Sequence, residues 1–105
     1  MKDGGHVYIL SNQKMGALYI GSTSDLLHRI LEHKNKTYKG FTAKYNIDKL
    51  VYYEWFDSLE EMVKVERRLK EWPRNWKLKI IIDFNPEWHD LTNDILRAYN
   101  IQTFD

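Results

Sequence analysis

Two short segments near the start of the chain are rich in β-branched and aromatic residues, and they constrain the fold more than any other feature. Residues 6–11 and 17–22 have this composition, and the residues between them, 12–16, are turn-forming types. The pattern predicts a β-hairpin. If Ser11 pairs with Gly16, Tyr8 lies directly across from Tyr19, with both rings on one face of the sheet.

A helix is predicted directly after this hairpin. Ser24 or Thr23 can cap it, and apolar residues at helical spacing continue to about residue 34. Polar side chains also recur every four residues, so they share one edge of the helix beside the apolar stripe. These residues are Asp25, Arg29 and His33.

The region from residue 36 to residue 56 is predicted to be a loop followed by a third strand. Residues 36–48 interleave basic, aromatic and turn-forming side chains, which is typical of a loop. Residues 49–56 have strand composition, and successive side chains of a strand point to opposite faces. One face would carry Val51, Tyr53 and Trp55, and the other Leu50, Tyr52 and Phe56.

A second helix is predicted to carry an acidic residue on its buried side. Ser58 and Glu61 match a capping box, and Pro73 ends the helix at about residue 72. Its apolar stripe consists of Leu59, Met62, Val63 and Leu69. Because residue 66 is seven positions after Leu59, Glu66 falls within that stripe. A carboxylate there is costly unless it is paired, protonated or bound to a metal, so Glu66 is a candidate functional residue.

The C-terminal part of the chain gives weaker signals. Residues 77–84 include three consecutive isoleucines, at positions 80–82, which local propensity alone assigns to a strand. Pro86 is expected to open a turn or short helix over residues 85–91. Residues 92–100 are predicted to form a last helix, with Ile95, Leu96 and Tyr99 on one side.

Composition narrows the class of protein. The chain has 105 residues with no flexible linker, which predicts a single domain over residues 1–105. It contains no cysteine, which excludes disulfide scaffolds and thiolate metal sites and is typical of the cytoplasm. No apolar run approaches the ~20 residues that span a bilayer, so we expect no membrane association.

Charge is balanced overall but unevenly distributed. The chain has 16 Lys and Arg against 15 Asp and Glu, a net charge of +1, which excludes a globally basic nucleic-acid coat. Residues 28–49 carry six basic and two acidic side chains, and residues 64–79 carry seven and two. They would form a basic face if they fold together, or they are solvated helix surfaces.

Several of these residues belong to a recognisable arrangement. Val7-Tyr8-Ile9 precedes Tyr19-Ile20-Gly21, which is followed by residues 22–26, Arg29 and His33, and residues 66–72, 74, 77, 85–88 and 90–91 continue the pattern. The arrangement resembles the GIY-YIG nuclease family, in particular its small standalone bacterial branch, and is similar to the amino-terminal nuclease domain of the excinuclease C subunit. The resemblance covers residues 6–91, the expected core, with residues 92–105 as a C-terminal helix and tail.

The resemblance implies an α+β fold, with a three-stranded antiparallel sheet flanked by helices. It also implies a helix over residues 75–83, and we adopt this in place of the strand that local propensity favours. The motif departs from the family at its first glycine, where this chain has His6. Gly21 is expected to serve as a structural turn.

Carried over position by position, the resemblance implies a catalytic set and a metal ligand. Tyr8 and Tyr19 would activate the nucleophile, Arg29 would stabilise phosphate charge, and His33 would assist proton transfer. Glu66 would hold one divalent ion, Mg²⁺ or Mn²⁺, since a single carboxylate suits Mg²⁺ better than Zn²⁺. The family also places an asparagine downstream, which here is either Asn75 or Asn85. Expected nucleic-acid contacts are Lys36, Lys39, Lys44, Arg68, Lys70 and Arg74.

The resulting functional hypothesis is a metal-dependent endonuclease acting on DNA, structure-selective and serving repair or recombination, with RNA left open as a substrate. The alternative is a nucleic-acid-binding or partner-docking module with little or no turnover. A protein partner would supply targeting, because the family's larger enzymes carry a separate recognition domain and this chain does not.

Two residue-level alternatives also stay open. Glu66 could instead form an ion pair with Arg29 or Arg68. The tryptophans at positions 72, 76 and 88 could form a base-stacking platform, although we favour a role in closing the core.

Overall fold

The computed structural model describes residues 3–36 and 40–100. These residues form an α+β fold, as expected, in which a three-stranded antiparallel sheet is covered by helices on both faces. The strands are β1 (Gly5–Ser11), β2 (Leu18–Thr23) and β3 (Lys49–Phe56). The helices are α1 (Leu26–Lys34), α2 (Phe41–Lys44), α3 (Leu59–Glu71), α4 (Arg74–Phe84) and α5 (Thr92–Ala98). In the described part of the chain, no helix is long and apolar enough to cross a membrane.

The central strand is β1, and the sheet order is β2-β1-β3. The hairpin is confirmed, but the predicted register is wrong by two residues, because Ser11 pairs with Leu18 and the loop is longer than expected. Tyr8 therefore lies opposite Gly21, and Tyr19 lies opposite Leu10. A shift of two residues preserves the face of each side chain, so both tyrosine rings are still on the same side of the sheet.

A β-bulge changes which residues of β3 face each side. Ile9 pairs with Tyr52 whereas Leu10 pairs with Leu50, so Val51 is an extra residue at this point. Leu50 consequently packs with Tyr53, and Val51 packs on the side of Tyr52, which reverses the predicted faces of these two residues. The predicted bounds of the strand are confirmed.

Each face of the sheet has its own hydrophobic cluster. On the face that we call the α3 face, strand residues pack against α3 and α4, and the buried residues are Val7, Ile9, Ile20, Val51, Met62, Leu69, Ile81 and Trp88. On the opposite α1 face, strand residues pack against α1 and α5, and the buried residues are Tyr8, Leu10, Leu26, Ile30, Ile47, Leu50 and Ile95. The helices of the two basic stretches therefore lie on opposite faces, and these stretches do not merge into one layer.

The helix boundaries follow capping chemistry. Asp25, rather than Ser24 or Thr23, caps α1, and its carboxylate accepts a hydrogen bond from the backbone N–H of His28 at 3.1 Å. Thr23 instead uses its hydroxyl to bind the backbone N–H of Asp25 at 3.0 Å. Ser58 caps α3 as predicted, although Leu59 is exposed and does not belong to the buried stripe.

The isoleucine run is helical, as the family resemblance implies and local propensity does not. Within α4 only Ile81 of the three is fully buried, while Ile80 is half-buried and Ile82 is exposed, as expected for one face of a helix. The predicted loop between α1 and β3 contains the short helix α2. On the last helix, Ile95 and Leu96 are buried as predicted, but Tyr99 is exposed.

Candidate active site

Two tyrosines and a histidine form a compact cluster on the α1 face. The Tyr8 hydroxyl and Nε2 of His33 share a hydrogen bond of 3.3 Å. The Tyr19 ring lies 5.4 Å from the His33 ring and 6.3 Å from the Tyr8 ring, measured between centroids. Tyr8 is fully buried and Tyr19 is partly exposed, so Tyr19 is the tyrosine of this cluster that a bound molecule can touch.

Gly21 leaves the space that the Tyr8 ring occupies. A Cβ atom at this position would lie 2.6 Å from the Tyr8 hydroxyl oxygen and 3.1 Å from an edge carbon of Tyr19. Gly21 is within β2 and not in a turn, so the prediction of a structural turn is wrong. Its role is to let the tyrosine rings approach the backbone of the neighbouring strand.

His33 is held from both ring nitrogens. Its Nδ1 shares a hydrogen bond of 3.3 Å with the Thr42 hydroxyl, and the side chain is 4% exposed. Burial lowers the pKa of His33, and the nearby Arg29 lowers it further, against the opposing effects of Glu32 and Asp48. The imidazole is therefore neutral near pH 7, with one nitrogen a donor and the other an acceptor.

Arg29 is one helical turn before His33 on α1. Its Nε lies 3.4 Å from a carboxylate oxygen of Glu32, and the side chain is half-buried. Asp25, four residues before Arg29, uses its carboxylate to cap the helix. Arg29 thus brings a fixed positive charge to the cluster around His33.

Glu66 is on the other face of the sheet, at the position that the sequence singles out. Its side chain is 17% exposed, its Oε1 accepts a hydrogen bond from the Ser22 hydroxyl, and its Oε2 is 2.5 Å from Nζ of Lys70. The predicted alternative partners, Arg29 and Arg68, do not fill this place. Burial acts to raise the pKa of Glu66, but hydrogen bonds from Lys70 and Ser22 and the charges of Lys70 and Arg67 outweigh it and hold the pKa below its usual value.

The edge strand β2 lies between the two groups. Gly21 faces the tyrosines, and the next residue, Ser22, faces Glu66. Since β2 is at the edge of the sheet, a molecule lying along that edge can approach both faces at once. Sequence reasoning did not assign Ser22 or Thr42 to the site, because a single hydroxyl residue carries no spacing signal of its own.

Comparison with known proteins decides the family. A model of the GIY-YIG catalytic domain matches residues 4–79. The chain belongs to the GIY-YIG family.

Two relatives and a solved structure show how this GIY-YIG protein compares in length and shape. A UPF0213 protein of Staphylococcus saprophyticus is 37% identical over 79 residues, 75% of this chain and 95% of the relative. A UPF0213 protein of Clostridium perfringens is 38% identical over 76 residues, 72% of this chain and 81% of the relative. The solution NMR structure of a UPF0213 protein from Bacillus halodurans has a TM-score of 0.53 and 28% identity, and it covers 86% of this chain and 95% of its own.

The oxygen donors around Glu66 suit a cation that takes few of its ligands from the protein. In residues 3–36 and 40–100 there is no group of three or more His, Cys, Asp or Glu side chains that could hold a metal ion. Mg²⁺ keeps several of its waters and binds through one or two carboxylates together with substrate phosphates, so the Glu66 carboxylate and the Ser22 hydroxyl fit it. Lys70 would have to leave Oε2 for an ion to bind there.

Most of the predicted nucleic-acid contacts have partners within this GIY-YIG domain. Lys36 pairs with Asp48 at 3.7 Å, Lys44 lies over the ring of Tyr45, and Lys70 pairs with Glu66. Arg74 donates to the backbone carbonyl oxygens of Met15 and Gly16, both at 2.7 Å, and so ties α4 to the hairpin loop. Lys39 lies outside the described residues.

The two asparagine candidates differ in burial and in hydrogen bonding. The Asn85 side chain is buried and bonds to the backbone of Val51 and His89, so it has a structural role. Asn75 is exposed in the first turn of α4 and stays the candidate for the family's asparagine.

Proposed function

We propose that this GIY-YIG protein is an endonuclease that hydrolyses phosphodiester bonds in DNA with one divalent ion, Mg²⁺ or Mn²⁺, at Glu66. The observation that carries the proposal is the hydrogen-bonded series Tyr8–His33–Thr42, with the partly exposed Tyr19 beside it. Hydrogen bonding offsets the cost of burying these hydroxyl and imidazole groups, and it holds His33 in a fixed orientation beside Tyr19, as a proton-transfer site requires.

The proposed roles of the side chains on the α1 face follow from their exposure to solvent. Tyr19 can touch the attacking water, while the buried Tyr8 acts as a positioning residue that orients His33. His33 is neutral, so its acceptor nitrogen can take up a proton. Arg29 offers a planar, permanently charged fork to the non-bridging phosphate oxygens.

The α3 face would hold the cation. Glu66 provides the ligand, and Ser22 orients its carboxylate. A bound Mg²⁺ supplies positive charge to the phosphate and to the leaving oxygen. Because β2 is a single strand at the edge of the sheet, a phosphodiester lying across it would face Arg29 and Tyr19 on one side and Glu66 on the other.

The proposed substrate is a branched or partly single-stranded DNA, such as those formed in repair and recombination. The domain would recognise its shape, and a protein partner would supply further targeting. Two basic stretches on opposite faces offer backbone contacts on both sides of the edge. RNA is the competing substrate.

Cleavage assays with matched variants test the proposal. Supercoiled, single-stranded and branched DNA and structured RNA are incubated with Mg²⁺ or Mn²⁺ and wild type, Glu66→Gln, Tyr19→Phe or Glu60→Gln. Glu60 is the control because it forms the same i,i+4 pair with a lysine on α3, at 3.2 Å from Lys64, but is exposed. We expect loss of cleavage in the first two variants only; equal cleavage by Glu66→Gln and wild type would refute the assignment.

A non-catalytic binding module is the second candidate, and one observation favours it. The Lys70 ammonium occupies Oε2 of Glu66, as in a structural ion pair. If this pair merely competes with the cation, Lys70→Met should strengthen Mg²⁺ binding by about twofold or more, the equivalent of a helix ion pair. Isothermal titration with Mg²⁺ measures this, with Lys64→Met as the control; no Mg²⁺ binding in either wild type or Lys70→Met would favour the module.

A further inference from the structure

An aromatic groove lies on the α3 face, on the side of α3 away from Glu66. One cavity of about 340 Å³ is lined by residues that include Tyr52, Phe56, Arg68 and Trp72. A second cavity of about 250 Å³ is bounded by Trp72, Trp76, Lys79 and Ile80. Both are lined by Trp72 and Ile80, so they adjoin each other, and we call the two together the tryptophan groove.

Trp76 is the most exposed aromatic side chain of this groove. It is 53% exposed, and its ring meets the half-buried Trp72 edge-to-face, with 5.6 Å between centroids. Trp88, in contrast, is buried in the core, so the three tryptophans have different roles. An indole fixed in the first turn of a helix and supported by a second indole offers a rigid flat surface at low entropic cost.

The groove has a basic rim. Arg68 lines it, and in the described part of the chain its guanidinium has no hydrogen bond or ion pair. Lys79 is also in the lining and pairs with the exposed Asp83, on its own helix. The Glu54 carboxylate, which also lines the groove, accepts a hydrogen bond from the Tyr52 hydroxyl at 2.8 Å. Flat aromatic surfaces beside cations match a ligand that has both π-faces and negative charge.

We propose that the tryptophan groove binds the bases of an unpaired nucleic-acid strand that adjoins the scissile phosphodiester. The inference rests on the proposed function and deepens it by naming the substrate feature that the domain selects. Unpaired bases present their faces for stacking and their phosphates to Arg68 and Lys79, whereas the bases of a duplex are stacked on one another. An acidic peptide offers the charge without the flat rings.

The position of the groove relative to Glu66 sets the path of that strand. Residues 66 and 68 are two apart on α3, which places them about 200° apart around the helix. The strand therefore crosses the outer surface of α3, a distance of about 10 Å, and passes Arg67, whose charge already acts on Glu66. Substrates with a flap or an overhang next to the cleavage point would reach both places, and a fully paired duplex would not.

Binding measurements without turnover test the groove by itself. Fluorescence anisotropy of a labelled oligothymidylate of about 12 nucleotides is measured in EDTA, with an oligouridylate and a duplex of the same length as further arms. Trp76→Ala should weaken binding of the single strands by about 5- to 150-fold, the range expected for one lost stacking contact, and should leave duplex affinity unchanged. Trp76→Phe should retain most of the affinity, and Arg68→Gln should weaken binding and reduce its salt dependence.

Trp55→Ala is the matched control. Trp55 is 48% exposed and meets His6 edge-to-face on the opposite face of the sheet, so its loss should change single-strand affinity by less than about twofold. Single-strand affinity that is the same in Trp76→Ala and wild type would overturn the inference. So would an equal loss for duplex, or tight Trp76-dependent binding of oligoglutamate, which would point to an acidic protein partner.

The two proposals fail in different experiments. If the protein cleaves no substrate and still binds single strands through Trp76, the nuclease assignment is wrong and the groove assignment stands. If the protein cleaves DNA and Trp76→Ala binds single strands as tightly as wild type, the nuclease assignment stands and the groove assignment is wrong.

Discussion

At the scale of single residues, Gly21 determines where the Tyr8 hydroxyl can lie. Any side chain there would overlap the tyrosine ring, so the glycine, the ring and the hydrogen bond to His33 form one arrangement. The conformational freedom of glycine is not the reason for its presence, because Gly21 is in an ordinary strand. Its value is the space that a missing Cβ leaves.

Gly21→Ala should therefore destabilise the protein. A Cβ at 2.6 Å from the Tyr8 ring forces the ring or the strand to move, which we expect to cost about 1–3 kcal/mol of unfolding free energy. Chemical denaturation followed by circular dichroism measures the change, with the exposed Ser24→Ala as the control. An unchanged denaturation midpoint for Gly21→Ala would show that the Tyr8 ring accommodates the added Cβ without strain.

The lowered pKa of His33 predicts a pH dependence of stability. Burial and Arg29 hold the pKa of His33 below 6.5 in the folded protein, so protons bind preferentially to the unfolded chain as the pH falls below that value. Its contribution to stability is complete above pH 6.5 and is lost as the pH falls toward the folded-state pKa. Burial lowers the pKa of His6 as well, so it adds to the same decline.

Thermal melts between about pH 7.5 and pH 5 check this dependence. The melting temperature of wild type should fall with pH, and His33→Gln should show a shallower decline from a lower starting value. His28→Gln, on the exposed side of α1, should decline as wild type does. A His33→Gln slope as steep as that of wild type would contradict the assignment.

At the scale of elements, the sequence predicts type and order better than register. Strand β3 and the end of α1 are predicted correctly, because period-two and helical patterns are long enough there. The register error at Ser11 and the bulge at Val51 depend on loop closure and on cross-strand pairing, which no local pattern encodes. The isoleucine run needed the family resemblance, since local propensity favours a strand there and tertiary packing overrides that propensity.

The same limit applies to the candidate site. Motif spacing and one buried carboxylate predict five candidate residues, which are Tyr8, Tyr19, Arg29, His33 and Glu66. Their separation by β2 could not be predicted, because it depends on which face each residue reaches in the folded sheet. Thr42 was missed because it lies on a short helix within a predicted loop.

A contact between elements yields the next prediction. Arg74 at the start of α4 donates two hydrogen bonds to carbonyl oxygens of the β1–β2 loop. Arg74→Met should cost about 1–2 kcal/mol, because two charge-assisted bonds are lost at an exposed position. Urea denaturation measures it, with Arg68→Met expected to change little; similar values for the two variants would show that this tie does not stabilise the fold.

At the scale of the whole molecule, the fold extends beyond the residues that the family model matches. The match ends at residue 79, yet α5 buries Ile95 in the cluster of the α1 face, and Asp90 pairs with Lys34 at 2.6 Å. A single domain over residues 1–105 stays a prediction, and these contacts support its inclusion of the region after residue 91.

Ile95→Ala should accordingly destabilise the molecule as a core substitution does, by about 2–4 kcal/mol. Tyr99→Ala, on the exposed side of the same region, should change stability by no more than about 0.5 kcal/mol. Differential scanning calorimetry compares them. Equal melting temperatures for Ile95→Ala and wild type would mean that α5 is dispensable for the fold.

The central place of β1 in the sheet also has a kinetic consequence. Its hairpin with β2 can form as soon as both strands leave the ribosome, but its other edge pairs with β3, some 40 residues later in the chain. At roughly 5–20 residues per second, that edge remains open for about 2–8 s of synthesis. During this interval the strand that carries Tyr8 is exposed to pairing with other nascent chains, so the yield of folded protein depends on how promptly β3 arrives.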